Sequence, residues 1–244
     1  MKKRLDRLIV EKGLVKTRQR GQALIMAGKV FVNDRMADKC GTSVLCDAKI
    51  VVKEKDFPYV SRGGLKLKKA LDSFRKDVAG LNCLDVGAST GGFSDCLLQN
   101  GAARVYAVDV GYGQLAWSLR NDPRVVVIER TNIRHMERDA LPSPVDLAVI
   151  DVSFISLKIV VPAVLKFLAP KGEIIALIKP QFEAGKGHVG KGGVIRDANV
   201  HKQITESLLL FFKQNHLSCK PVIASPILGP KGNKEFLVFM KHKQ

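Results

Sequence analysis

At 244 residues, 46% of them hydrophobic, the chain has room for one large domain with a small appendage and enough apolar surface to bury a core. Its 40 Lys and Arg outnumber 23 Asp and Glu, and the net charge of +17 points to a polyanionic partner, because basic side chains that neutralise phosphates release counterions. No uncharged run exceeds ten residues (110–119 and 221–230), whereas a spanning helix needs about 20, which excludes a transmembrane helix.

The opening residues Met1-Lys2-Lys3-Arg4-Leu5-Asp6-Arg7 are basic, with no apolar segment and no small-residue cleavage site, so a cytoplasmic location is expected. Leu5, Leu8 and Ile9 have helical spacing up to Gly13, and Thr17 is placed to cap a second helix that runs through Ala27 and closes at Gly28. Residues 30–32, 44–45 and 50–52 read as short strands separated by polar turns. Residues 1–60 carry 14 Lys and Arg against 7 Asp and Glu, net +7, which leaves +10 for the longer remainder. Positive charge is therefore denser near the N-terminus. The five cysteines, at 40, 46, 83, 96 and 219, form no C-x-x-C pair, and reduced thiols are expected rather than a disulfide framework or a metal site.

Residues 1–58 resemble the S4 RNA-binding domain, a small α+β fold. The resemblance rests on Arg4-Leu5-Asp6-Arg7-Leu8-Ile9-Val10, Thr17-Arg18-Gln19-Arg20-Gly21-Gln22-Ala23 and Gly28-Lys29-Val30-Phe31-Val32-Asn33. It implies a basic face for structured RNA, for which the candidates are Arg4, Arg7, Lys16, Arg18, Arg20 and Lys29, with Arg62 beyond a linker at 53–58. Lys16, Arg18 and Arg20 lie near the start of a helix whose free N–H groups also attract phosphate.

From residue 80 onward, candidate strands at 83–86, 104–108, 125–129, 147–150, 174–178, 222–224 and 236–240 alternate with helix-length segments, clearest at 199–215. Such alternation implies an α/β domain over 59–244, a mostly parallel Rossmann-like sheet covered on both faces. Leu84-Asp85-Val86-Gly87-Ala88-Ser89-Thr90-Gly91-Gly92-Phe93 is a strand, a glycine-rich turn and a helix start, where a ligand can approach the backbone. It lacks the G-x-G-x-x-G spacing of dinucleotide sites and no phosphate loop occurs in the chain. It is instead similar to motif I of methyltransferases that use S-adenosylmethionine (SAM), which makes Asp85 and residues 87–93 cofactor candidates. Asp109, ending the next strand, is positioned to grip ribose hydroxyls. Thr131, Asn132 and Ile133, after the third strand, are positioned to border the adenine.

Asp151 ends the fourth strand, Lys179 follows the fifth and Glu235 opens the last, and neighbouring strand ends in such a sheet converge on one crevice. Around Asp151 the N-P-P-Y type sequence of amino-methylating enzymes is missing, which favours oxygen or carbon as the acceptor. Cys219, the only late cysteine, is in a different segment from a carbon-methylating nucleophile. With Lys66, the charged residues make a Lys-Asp-Lys-Glu constellation. At this point the chain resembles the TlyA (hemolysin A) family, an S4 domain joined to an FtsJ-like 2'-O-ribose RNA methyltransferase. The distinctive stretches are 59–67, 84–93, 151–156, 179–183 and 190–197.

The resemblance implies SAM as cofactor, cytidine 2'-hydroxyls of ribosomal RNA or ribosomal subunits as substrate, and a catalytic tetrad of Lys66, Asp151, Lys179 and Glu235. Asp151 would also border the cofactor. Lys68 and Lys69 compete with Lys66 for its place, which its position after Ser61-Arg62-Gly63-Gly64 decides. Lys179 is read as the proton acceptor, with no metal required. Two rival readings are an S4-type RNA-binding or ribosome-assembly protein without turnover, opposed by the intact tetrad, and a lytic toxin, opposed because neither a signal nor a spanning segment is expected.

Overall fold

The computed structural model describes residues 1–15, 17–53, 58–184 and 192–242, and the chain divides into two units, Met1–Pro58 and Tyr59–Gln244. Lys16, most of the linker at 53–58 and the start of the 190–197 stretch lie outside the described residues.

In the first unit, β1 (Lys2–Arg4) runs into α1 (Leu5–Glu11), and α2 (Arg18–Met26) begins where Thr17 Oγ1 accepts the Arg20 N–H at 3.2 Å. The helices meet closely: a Cβ on Gly21 would stand 2.6 Å from the end of Ile9. β2 (Val30–Val32) and β3 (Arg35–Ala37) form a hairpin through Asn33 and Asp34, both at positive φ, as a two-residue hairpin turn requires. β4 (Ser43–Leu45) pairs with β1, and β5 (Ile50–Val52) lies on the other side of β2 from β3. Leu5, Leu8, Ile9, Leu24, Ile25 and Val30 make the core. The strands β1 and β3 differ from expectation because Lys-Lys-Arg and Arg-Met-Ala carry no alternation to read.

The second unit opens with α3 (Gly63–Phe74), β6 (Asn82–Val86) and α4 (Gly92–Gln99). It continues with β7 (Arg104–Val108), α5 (Trp117–Arg120), β8 (Val125–Ile128), β9 (Val145–Ile150) and α6 (Leu157–Leu165). Then follow β10 (Leu168–Ile178), α7 (Pro180–Glu183), α8 (Ala198–Gln214), β11 (Leu217–Cys219), β12 (Ile223–Ala224) and β13 (Phe236–His242). The sheet order is β11-β13-β10-β9-β6-β7-β8, with β12 also on β13; β10 to β8 are parallel, and β13 runs antiparallel to β10. Alternate strand residues face opposite cores. Leu84, Val86, Ala148 and Ile150 pack beneath α6 and α8, while Cys83, Leu147, Val149 and Ile175 pack beneath α3 and α4. β10 begins earlier than its apolar run predicts, and the polar Ala169-Pro170-Lys171-Gly172 stretch coincides with a break in register between Leu168 and Glu173.

This topology gathers the charged candidates. Asp151 and Lys179 follow the carboxyl ends of β9 and β10, and because β13 is reversed, the residue before its start, Glu235, lies at that same sheet edge.

Candidate active site and cofactor cleft

Lys66 owes its place to helix phase. On α3 the buried stripe is Lys66, Leu67, Ala70, Leu71 and Phe74, so Lys66 turns inward, while Lys68 pairs with Asp72 on the outside and Lys69 is exposed. The turn before α3 is fixed by close approach: a Cβ on Gly64 would meet the Tyr59 ring at 2.3 Å, and one on Gly92 the Ser61 Oγ at 2.2 Å. Asp95 of α4 accepts the Val60 N–H at 2.7 Å. The Ser61-Arg62-Gly63-Gly64 turn therefore lies against the N-terminus of α4, and Lys66 enters the site beside the glycine loop.

The four predicted catalytic side chains meet. Lys66 Nζ donates to Glu235 Oε2 at 2.6 Å and lies 4.0 Å from Asp151 Oδ2; Lys179 Nζ lies 2.6 Å from Asp151 Oδ1. Lys66, Lys179 and Glu235 are only 6%, 8% and 2% exposed, and Asp151 is half-buried. Four charges this enclosed are tolerable because they cancel and are hydrogen-bonded; removing one partner would leave an uncompensated buried charge.

Sequence reasoning did not single out several residues that organise the cluster. Ser153 Oγ accepts from Lys179 Nζ at 2.9 Å. Glu183 accepts from Ser156 Oγ at 2.5 Å and the Leu157 N–H at 2.8 Å, which ties the turn after Lys179 to the segment after Asp151; burial pushes its carboxyl above the usual range. Asn233 accepts the Ile195 N–H at 3.2 Å and donates to Gly193 and Pro230 carbonyls, fastening the loop that precedes Glu235. Gly229 leaves room for Glu235, since a Cβ there would lie 2.0 Å from its Oε1. Ser153, Ser156 and Glu183 stood inside the quoted stretches at 151–156 and 179–183, whereas Asn233 and Gly229 carried no sequence signal beyond proximity to Glu235. Phe154 is 89% exposed with φ +64°, and its ring centroid lies 4.8 Å from that of Phe182.

The glycine loop is a backbone cradle. Gly87 (φ +84°) and Gly91 (φ +95°) occupy the left-handed region, and a Cβ would strike the Asp151 carbonyl at 2.7 Å or Leu119 at 2.2 Å respectively. The Gly87 and Ala88 N–H groups both donate to the Val108 carbonyl. Asp109 accepts the Ser89 N–H at 2.8 Å and the Gly111 N–H at 2.6 Å, so its carboxylate shapes the loop from across the cleft. Ser89 and Thr90 are exposed, whereas Ala88, Gly92 and Phe93 are buried. Asp85 lies under α4, fully buried; Ser94 donates to its Oδ2 at 2.6 Å, Oδ1 has no hydrogen-bond partner, and burial pushes its carboxyl up to about 7. Beyond β8, Thr131 and Asn132 are half-buried at the cleft side, but Ile133 turns into the core, which removes its side chain from the expected adenine border. Glycines without room for a Cβ, an acid across the cleft and an unpartnered buried carboxylate oxygen suit a nucleoside bearing a cationic tail.

Of the basic candidates, Arg4, Arg7, Arg18, Lys29 and Arg62 are exposed and Arg20 is half-buried. Arg4 and Arg18 both pair with the buried Asp6, at 3.1 and 2.9 Å. Among the described residues, no group of three or more His, Cys, Asp or Glu could hold a metal, and no helix is long and apolar enough to cross a membrane.

Comparison with known proteins gives a consistent picture. The model of the FtsJ-like methyltransferase family matches residues 59–242 and that of the S4 domain residues 3–45. The 16S/23S rRNA (cytidine-2'-O)-methyltransferase TlyA of Mycobacterium tuberculosis is 47% identical over 239 residues, 98% of this chain and 89% of that protein. Hemolysin A of Brachyspira hyodysenteriae is 40% identical over 235 residues, 96% of this chain and 98% of that one. The solved structure of a candidate hemolysin of Streptococcus thermophilus is 43% identical and superposes with a TM-score of 0.79, covering 100% of this chain and 89% of the other.

Proposed function

Because the chain belongs to the FtsJ-like methyltransferase family and carries an S4 domain, we propose that it methylates ribosomal RNA at the ribose 2'-oxygen of cytidine, with SAM as the methyl donor. The observation that carries this reading is the enclosed Lys66-Asp151-Lys179-Glu235 network, linked by ion contacts of 2.6, 2.6 and 4.0 Å, beside the glycine cradle. SAM, when bound, supplies a methyl group on a sulfonium, so the chain's task is to align and deprotonate a weak nucleophile.

The residues divide that task. The backbone of Gly87 to Gly92, with Asp85 buried beneath it, would hold the methionine end of the donor, and the Asp109 carboxylate would hold its ribose. Lys179 Nζ, held by Asp151 and Ser153, acts as the base: its lone pair, free once its own proton has passed to solvent, takes the 2'-hydroxyl proton while the oxygen gains the methyl group and the donor's C–S bond breaks to leave a thioether. Glu235 anchors Lys66, whose charge helps to hold the ribose oxygen in place. The exposed ring of Phe154 beside this cluster offers a face for a nucleobase, as aromatic side chains do for unstacked RNA. Arg7, Arg18, Arg20, Lys16, Lys29, Arg4 and Arg62 provide phosphate contacts.

The test is methyl transfer by the full chain from labelled SAM to ribosomal RNA, offered free and as assembled subunits, followed by nuclease digestion and mass spectrometry. The expected product is 2'-O-methylcytidine. Label recovered on a base, or no label from either substrate, overturns the reading.

A further inference from the structure

Asp6, in the N-terminal unit, is a carboxylate buried completely. Asp6 sits in the first turn of α1 with no exposed surface, among Leu5, Leu8 and Ile9. Arg4 grips it with a fork, Nε to Oδ1 and Nη2 to Oδ2, both at 3.1 Å. Arg18, from the start of α2, donates through Nε to Oδ2 at 2.9 Å, and Gln22, one turn on, donates to the same oxygen at 2.9 Å. The backbone N–H of Asp6 donates to the Cys40 carbonyl at 3.1 Å, so the cluster ties both helices to the loop before β4. Arg4, then Gln22 and Arg18, hold the Asp6 carboxyl well below the usual carboxylate range, so it stays charged wherever the protein is folded near neutral pH.

The two arginines are not consumed by this pairing. Their side chains remain 49% and 47% exposed, and each guanidinium has five N–H donors in a rigid plane, of which the carboxylate takes the inner ones. One buried negative charge thus holds two positive ones, leaves a net charge of +1, and fixes two outward-facing donor edges at a set separation. An arginine already immobilised loses less freedom when it meets an anion than a solvated one does.

We infer that Asp6 is a positioning residue for RNA recognition: it presents Arg4 and Arg18 as one preformed fork for neighbouring backbone phosphates of a structured RNA. The inference rests on the proposed RNA substrate and on the N-terminal unit as part of its grip.

The test exploits a difference in sign. Asp6→Asn removes a negative charge, so if charge alone governed affinity the full chain would bind transcribed 16S ribosomal RNA more tightly. With Asp6 as the organiser, binding weakens by about tenfold, and the slope of log affinity against log salt falls by about 1 to 2, because the arginines no longer engage phosphates together. Arg18→Lys keeps the charge and with it an ionic partner for the buried Asp6, so the fold is spared while the shared fork is lost; its affinity should fall nearly as far as that of Arg18→Gln. Tighter or unchanged binding by Asp6→Asn, or wild-type binding by Arg18→Lys while Arg18→Gln is weak, overturns the positioning role and leaves the RNA reading standing. Wild-type binding by an Arg4→Gln, Arg18→Gln double variant overturns the RNA role of this face as well.

Discussion

Both units bury carboxylates against basic side chains, and they do so to opposite ends. In the N-terminal unit, Asp6 holds two arginines whose outer edges stay in solvent. In the C-terminal unit, Asp151 and Glu235 hold two lysines that are themselves enclosed. Residue type matches exposure. A guanidinium never deprotonates in water-accessible settings and matches phosphate geometry, whereas a lysine amine is a point donor able to give up and retake a proton. The same ion pair is thus a handle for an anion when the cation faces water, and a proton-handling centre when it does not.

The difference between the two units rests most heavily on Lys179. Lys179→Ala should lower the single-turnover rate of methyl transfer by about 10²- to 10⁴-fold, while SAM affinity by equilibrium dialysis stays within about twofold, since the cradle is formed by other residues. A variant with near-normal turnover would remove the enclosed amine from the chemistry and with it the contrast between the units. A smaller effect sharpens the same point without deleting any charge. At Gly229, φ is −72°, which alanine adopts freely, yet its Cβ would overlap the Glu235 carboxylate. Gly229→Ala should therefore fold normally and displace Glu235 from Lys66, lowering the rate by about 10- to 100-fold. Normal turnover with an unchanged melting temperature would mean that the Lys66–Glu235 contact is not needed at its observed geometry.

The same contrast explains what could be read from the chain and what could not. The mostly parallel sheet and the convergence of Asp151, Lys179 and Glu235 follow from β-α alternation and from acids and amines placed at the ends of apolar runs, features that are local in sequence. Lys66 was legible in principle from phase alone, because only it, and not Lys68 or Lys69, falls on the Leu67, Ala70, Leu71, Phe74 stripe. Asp6 was not. An aspartate in a row of basic residues reads as a solvated charge, and its burial depends on Gln22 and on the chain near Cys40, which are distant in sequence. Gly229 illustrates the same limit, since its importance lies in a close approach to a side chain six residues on that no propensity encodes. The short strands β1 and β3 escaped notice because their pairing is decided by partners, not by their own polar residues.

The smallest effect tests Asp85, a buried carboxylate paired with neither arginine nor lysine. Asp85 has one hydroxyl partner, Ser94, and burial pushes its pKa to about 7, where the unfolded chain has about 3.9. The sign follows from linkage. Between those values the folded state keeps a proton that the unfolded state has lost, so Asp85 erodes stability as pH rises from about 4 to about 7, and the loss is complete above that. Asp85→Asn, neutral at every pH and nearly the same shape, should raise the melting temperature by a few degrees at pH 8 and leave it almost unchanged near pH 4. The same variant should weaken SAM binding several-fold, because it replaces by a neutral amide a buried carboxylate whose Oδ1 has no hydrogen-bond partner within the protein. A loss of stability at pH 8 that shrinks toward pH 4 would show that Asp85 is ionised in the fold, which would put it with Asp6 as a charge stabilised by its surroundings.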